Sequence, residues 1–472
     1  MPLRILTADD VSKILHSFSK DDILELQATL ADALHWYSTS DDGTDCCSDY
    51  QPERTALKRK DGSTTLYLPA SGITGQGVKV LSLLPPDASG FPALSESASD
   101  GDSRSSISSG DRKGSVASVQ SERSSTSSIP TSASKVTDST GNLSLTSQPD
   151  PDPSAVSTIK GSLTLLDNVG NTVGLINAEE VTAFRTALAS TMLLKKRHSV
   201  HDLTIFGAGK QAYWHARLAL LLRGDEIHHV NIVTRNFDSA RKCIMRLYNP
   251  QPDDPDYINH IGTKYNSKTK TSILTPSHTE YGRLLKEYVR ASNVIFCTTP
   301  STSPLFPGTY LTNPEGRKKG RYIACIGSYK SHMIELDPTV VQYAVAPHHE
   351  HRHIHKRQKE GGAILVDTVS GCLTNAGEIV QAKLMPDQVV ELGELFMLKR
   401  DAEQRAMERG EKNADVGKEG CQLQDNSGLK EWLTRGNVIY KSVGLGLMDI
   451  VVGNELLRVS KENNIGLSVE NF

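Results

Sequence analysis

Cysteine pairs, long apolar runs and a dominant charge sign are what this sequence has least of. Its seven cysteines form no CxxC, and Cys46 and Cys47 are adjacent, a poor start for a disulfide framework. Reduced thiols in the cytoplasm are therefore expected. No apolar run approaches the roughly 20 residues needed to span a bilayer. Residues 1–15, MPLRILTADDVSKIL, lack the basic-then-apolar order of a secretory leader. Neither membrane nor export is expected. A net charge of −3 gives no global basic field to attract nucleic acid. What is present is 472 residues, 37% hydrophobic and 23% charged. That length exceeds one ordinary core, so two domains of a globular protein are expected, with some disordered sequence.

Three compositional breaks interrupt the folded pattern. Residues 87–157 are dominated by Ser, Thr, Asp and Gly with almost no aromatic side chains. Such sequence cannot bury enough apolar surface to offset its ordering entropy and is expected to be disordered. Its basic-serine clusters, such as Arg112-Lys113-Gly114-Ser115, could accept phosphate. Residues 348–362, HHEHRHIHKRQKEGG, invite a metal reading because neutral imidazole is a common ligand. The run has no partner cysteines or spaced acidic ligands, so a solvated loop and no metal are expected. Residues 400–427 are highly charged and helix-favouring, which suits a surface excursion.

Between the breaks, residues 7–34 read as a cap followed by one amphipathic helix, with Ile14, Ile23, Leu24 and Leu26 among its apolar positions. Strands are expected at 64–68, 78–83 and 162–166, the last continuing into a hairpin with 172–176. A helix follows over 179–196. The grammar then changes to strands at 203–206, 230–234, 294–298, 322–326 and 363–367, with helices at 211–222 and 238–247. That alternation argues for a parallel, doubly wound sheet.

The first of these strands runs into Gly207-Ala208-Gly209-Lys210-Gln211-Ala212, a GxGxxA turn that opens a helix. Gly207 permits the tight turn, Gly209 lets the backbone approach a pyrophosphate, and Ala212 allows close helix–strand packing. The helix start offers unpaired N–H groups and its positive dipole end. A second strand at βαβ spacing makes this a dinucleotide turn rather than a structural one. That strand ends Val233-Thr234-Arg235-Asn236, without the carboxylate that would bind a ribose 2′-hydroxyl. Arg235 can instead pair with a 2′-phosphate, so NADP(H) is preferred and NAD(H) remains possible. Thr298 and Thr299 end a later strand at the carboxyl edge, where such sheets place their ligand.

These motifs belong to an ordered series. Pro52-Glu-Arg-Thr55, Leu68-Pro-Ala70, Gly77-Val-Lys-Val80 and Phe184-Arg-Thr-Ala-Leu-Ala-Ser190 precede the nucleotide turn. Cys325-Ile-Gly-Ser328, Glu335-Leu336, Val366-Asp367, Ala376-Gly377-Glu378 and Lys441-Ser-Val-Gly-Leu-Gly-Leu-Met-Asp449 follow it. In them the chain resembles the ornithine cyclodeaminase/mu-crystallin family over nearly all its folded sequence. The resemblance implies an α/β fold: a central Rossmann NAD(P)-binding domain over 199–399, and a discontinuous α+β substrate-binding and dimerisation domain. The latter would comprise 1–86 and 158–198, with 428–472 returning to it. Arg54, Lys79 and Arg185 correspond to the family's substrate-carboxylate cradle, and guanidinium forks with an ammonium suit that task. Thr186 and Ser190 are weaker candidates beside the cofactor, and Ser442, Val443 and Gly444 match a segment that closes over it. A small amino or imino acid substrate and a homodimer are implied.

Departures from the family decide the expected reaction. Where the cyclodeaminases carry an Asp, this chain has Tyr329; a later Lys position is Met333, and Leu66-Tyr67-Leu68-Pro69 holds no carboxylate. Deamination of ornithine needs general acid–base groups at those places. Lys79 and Tyr329 are the candidate catalytic residues, with His332 a possible assistant, although a tyrosine packed at a domain seam fits equally. NADPH-dependent reduction of a small cyclic ketimine is the expected activity. Ornithine cyclodeaminase or amino-acid dehydrogenase activity, and non-catalytic NADPH-dependent binding of a small ligand, are the alternatives.

Overall fold

Thr7 opens the first helix by reciprocal bonding with Asp10, the arrangement that satisfies two free N–H groups at a helix start. A second such pair, Ser19 with Asp22, opens another helix twelve residues on. The single helix expected over 7–34 is thus two, α1 (Ala8–Ser17) and α2 (Lys20–Ser38), divided at the extended residue Phe18. The computed structural model describes residues 2–38, 52, 54–60, 63–72, 75–84, 158–249, 269–346, 362–395, 426–470 and 472. The serine-rich segment and nearly all of the histidine run and of the charged excursion lie outside them.

One sheet has seven strands: β1 (Leu3–Leu6), β2 (Thr55–Lys58), β3 (Thr64–Gly72), β4 (Gly75–Leu84), β5 (Thr158–Leu166), β6 (Thr172–Asn177) and, from the far end of the chain, β15 (Leu467–Val469). Its order is β15-β1-β6-β5-β4-β3-β2, antiparallel except where β1 meets β6. Asn177 then caps α3 (Ala178–Thr191), which tightens into a 3-10 turn over Met192–Lys196 rather than continuing as helix to 196.

The second sheet is wholly parallel. It comprises β7 (Asp202–Phe206), β8 (His229–Val233), β9 (Lys270–Leu274), β10 (Val294–Cys297), β11 (Tyr322–Cys325), β12 (Ile364–Val366), β13 (Val389–Glu391) and β14 (Val438–Lys441). The order β13-β12-β14-β11-β10-β7-β8-β9 contains the Rossmann sequence of strands and reverses between β7 and β10, where such sheets bind ligands. Strand β14 was not expected here. The returning segment enters the parallel sheet between β11 and β12 before its last helix, Gly446–Glu462, packs on β3 and β4 of the first sheet. Its run Val438-Ile-Tyr-Lys441 is buried at every position, as a central parallel strand requires.

Helix α4 (Lys210–Arg223) leaves the turn after β7 and packs against α3. The seam is anchored by Phe184 and Trp214, edge to face at 5.1 Å. One apolar cluster includes both of these with Leu163 and Leu165 of the first sheet and Ile205 of the second. A second cluster fills the other face of the parallel sheet, around Phe206, Ile295, Ile323 and Val366. Among the described residues, no helix is long and apolar enough to cross a membrane.

Candidate functional site

Gly207 has φ +108°, and a Cβ there would lie 2.7 Å from Thr298 Oγ1, so glycine is required by both backbone and space. Thr298 secures this approach by donating to the Phe206 carbonyl at 2.7 Å. Gly209 begins α4 with no side-chain cap. A Cβ at Gly209 would meet nothing within 4 Å, leaving room above the open helix start. Ala208 is half-buried and Ala212 fully buried, while the Gln211 side-chain oxygen is buried with no hydrogen-bond partner. The open cradle and the free N–H groups of the helix start fit a dinucleotide pyrophosphate.

At the end of β8, Thr234 is half-buried and Arg235 is exposed. Asn236 is committed elsewhere, its side chain capping α5 (Phe237–Tyr248) by accepting from Ser239 N at 3.0 Å. Thr299 presents its backbone N–H to Glu335 Oε1 at 2.7 Å. The hydroxyls of Thr186 and Ser190 donate to carbonyls of their own helix, at 2.9 and 3.2 Å, so neither proton is free for a ligand.

The cations of the expected cradle fall into two groups. Lys79 on β4 lies 2.6 Å from Asp449 Oδ2, and Arg185 Nε on α3 lies 3.3 Å from Asp449 Oδ1. Asp449 is 0% exposed and Lys79 1%. Burial pushes the Lys79 ammonium down to about 8; Asp449 resists this and Arg185 adds to it. Arg185 also touches the returning loop, where a Cβ on Gly444 would come within 2.8 Å of its guanidinium. Arg54, just before β2, donates instead to the Tyr329 carbonyl at 3.1 Å. Burial raises the Tyr329 hydroxyl above the usual phenol range, Arg54 opposing it, so the phenol keeps its proton at neutral pH. His332 is exposed and Met333 buried.

Four buried carboxylates were absent from the expected site. Asp449 bridges two cradle cations, and its sequence signal is an acid inside the apolar run Gly446-Leu-Met-Asp-Ile-Val-Val452. Asp367, at the end of β12, accepts from Ser442 Oγ at 2.8 Å, Val443 N at 3.1 Å and Gly444 N at 2.7 Å. It thereby fixes the loop expected to close over the cofactor. Glu335 and Glu378 lie behind the loops that follow β10 and β11. At the opposite edge of the parallel sheet, Asp202 is shared by His201 at 3.0 Å and His229 at 2.9 Å, with Lys319 at 4.0 Å. The four described cysteines, Cys243, Cys297, Cys325 and Cys372, are free and buried.

No family model matches the chain. Among curated proteins it is 26% identical over 310 residues to an uncharacterised protein of Saccharomyces cerevisiae, covering 62% of this chain and 72% of that one. It is 25% identical over 321 residues to the Delta(1)-pyrroline-2-carboxylate reductase of Bacillus cereus, covering 66% of this chain and 75% of the relative. Two solved structures share its fold. An archaeal alanine dehydrogenase dimer with bound NAD has a TM-score of 0.57 at 15% identity, covering 100% of both chains. The Thermococcus litoralis Delta(1)-pyrroline-2-carboxylate reductase, in complex with NADH and L-proline, has a TM-score of 0.56 at 16% identity, covering 99% of this chain and 100% of that one.

Proposed function

We propose, from the premise that the chain belongs to the ornithine cyclodeaminase/mu-crystallin family, that it is an NADPH-dependent reductase of a small cyclic imino acid. The observation that carries this reading is the buried trio of Lys79, Asp449 and Arg185. Its net charge is a single positive one, and Arg54 beside Tyr329 adds a second. Such a cradle suits one carboxylate on a small ligand, oriented by charge-assisted bonds while water is excluded.

The Gly207–Ala212 turn would hold the pyrophosphate, and Arg235 would take the 2′-phosphate that distinguishes NADP from NAD. When bound, the dinucleotide supplies the hydride, which would add to the C=N carbon. The imine nitrogen must gain a proton to give a secondary amine. Tyr329, held protonated by its surroundings, or the Lys79 ammonium, brought to about 8, could deliver it directly or through water. The absence of the cyclodeaminase carboxylate at Tyr329 places imine reduction ahead of ornithine deamination. Residues 1–86 with 158–198 would bind substrate and support a homodimer, as the alanine dehydrogenase structure is a dimer. The free described cysteines suit a reducing cytoplasm.

The test is a panel of cyclic ketimines, ornithine and other basic amino acids, assayed with NADPH and NADH. NADPH oxidation with a pyrroline or piperideine carboxylate is expected. Turnover of another amino acid with none of the ketimines would overturn the assignment.

A further inference from the structure

The loop after β10 flanks the switch point of the parallel sheet, and the loop after β11 lies one strand further out. A buried charged cluster ties the two together, alongside backbone bonds from Ile334 N to the Ser301 carbonyl and from Leu305 N to the Glu335 carbonyl. Glu335 is 0% exposed, and all four hydrogen bonds accepted by its carboxylate run to these loops. Its Oε1 accepts from Thr299 N at 2.7 Å and Thr299 Oγ1 at 3.4 Å, and its Oε2 from Gly327 N at 2.7 Å and Ser328 N at 3.3 Å. Glu378 Oε1 accepts from Ser328 Oγ at 2.5 Å and from Glu335 N at 2.7 Å. Lys441, on β14, donates to the Ser328 carbonyl and hydroxyl and lies 3.5 Å from Glu378 Oε2. The next residue is Tyr329, whose own carbonyl is held by Arg54.

We propose that Glu335, supported by Glu378 and Lys441, is a positioning residue whose carboxylate clamps the Thr299 and Gly327–Tyr329 loops into the shape that binds the dinucleotide. The proposal rests on the cofactor reading given above. Every group hydrogen-bonded to the Glu335 carboxylate oxygens is a donor, so only the ionised carboxylate matches them all. A protonated acid would set an O–H against N–H groups and lose part of the clamp.

Protonation falls within the working range. Burial pushes Glu335 up to about 7; Lys441 pulls it down, and Glu378 pushes it further up. Lys441, Cys297 and Cys325 each hold one state there. Burial lowers Lys441, but Glu378 and Glu335 more than offset this and keep it charged. Cys297, raised by its hydrogen bond to Cys325 and by burial, stays neutral. So does Cys325, where the bond to Cys297 lowers but burial together with the Glu378 and Glu335 charges raises it overall. Falling pH should therefore open the clamp at Glu335.

The experiment is a fluorescence titration of the full-length protein with NADPH and, separately, NADH between pH ~6 and ~8. For both nucleotides, Kd should rise about tenfold on acidification, following the charged fraction of a group that titrates near 7. Agreement between the two separates this effect from titration of the 2′-phosphate. Glu335→Gln, which turns an amide donor toward backbone donors, should bind weakly at every pH with the acid limb gone. Should that variant not fold, Ser328→Ala removes one strut and spares the carboxylate. It should keep the midpoint while weakening the alkaline plateau about threefold, a lost hydrogen bond in size. An acid limb that persists in Glu335→Gln, a flat profile in the parent, or unchanged binding by Ser328→Ala would overturn the clamp. A parent protein that binds neither nucleotide at any pH would instead overturn the cofactor reading, and the clamp with it.

Discussion

Replacing Asp449 by Asn removes the one carboxylate shared by Lys79 and Arg185 and keeps the shape of the side chain. At 2.6 Å and an effective dielectric of about 20, the Lys79–Asp449 attraction is about 6 kcal/mol gross. Desolvation cancels part of that, and breaking one side of a buried pair typically costs about 3–5 kcal/mol. For a chain of this length, about 3 kcal/mol lowers the melting midpoint by roughly 6 °C, larger proteins shifting less per kcal/mol. The cost should depend on pH. Lys79, lowered to about 8, is charged below that value and neutral above it. The deficit of Asp449→Asn is therefore largest near neutrality and shrinks as pH rises past 8, though Arg185 keeps some of it. Scanning calorimetry of parent and variant at pH ~7 and ~9.5 reads this directly. A variant that melts with the parent at neutrality, or whose deficit grows with pH, would refute the account of the cradle.

Arg235→Ala should raise the KM for NADPH by roughly tenfold to a hundredfold, the size of a charge-assisted contact; NADH should change by less than about twofold in the same steady-state assay. Gly207→Ala must place a methyl against Thr298 at φ +108°, at a cost of about 1–3 kcal/mol. Dinucleotide affinity should fall more than about tenfold by fluorescence titration while circular dichroism still reports a folded chain. Turnover that needs the Lys79 ammonium should decline as pH rises through about 8, and Lys79→Arg, which does not titrate there, should remove that limb from the kcat/KM profile.

What was legible in the sequence follows the range of the interactions. The turn at Gly207–Ala212 is local, and its strand, glycines and helix all appear as expected. So do the paired strands around Lys79 and the helix bearing Arg185. The split between α1 and α2 was written in Ser19 and Asp22, but apolar periodicity runs through Phe18 and hides it. Strand β14 is four residues long, too short to show a period, and only the sheet reveals why all four are buried. Arg54 and Tyr329 lie 275 residues apart, so nothing local predicts their contact. Motif resemblance named the cradle cations but not the acid that balances them. A buried Lys79 and Arg185 side by side demand an anion, and an acid within the apolar helix starting at Gly446 was the available one.

Hydride addition to C=N is tested most directly by following the hydride itself. With NADPH deuterated at the transferable C4 position and a cyclic ketimine carboxylate, mass spectrometry should find one deuterium on the ring carbon bearing the carboxylate, with one NADP+ formed per amine. Ornithine converted to proline and ammonia with no net NADPH oxidation, and no label transferred from NADPH to any ketimine, would contradict it.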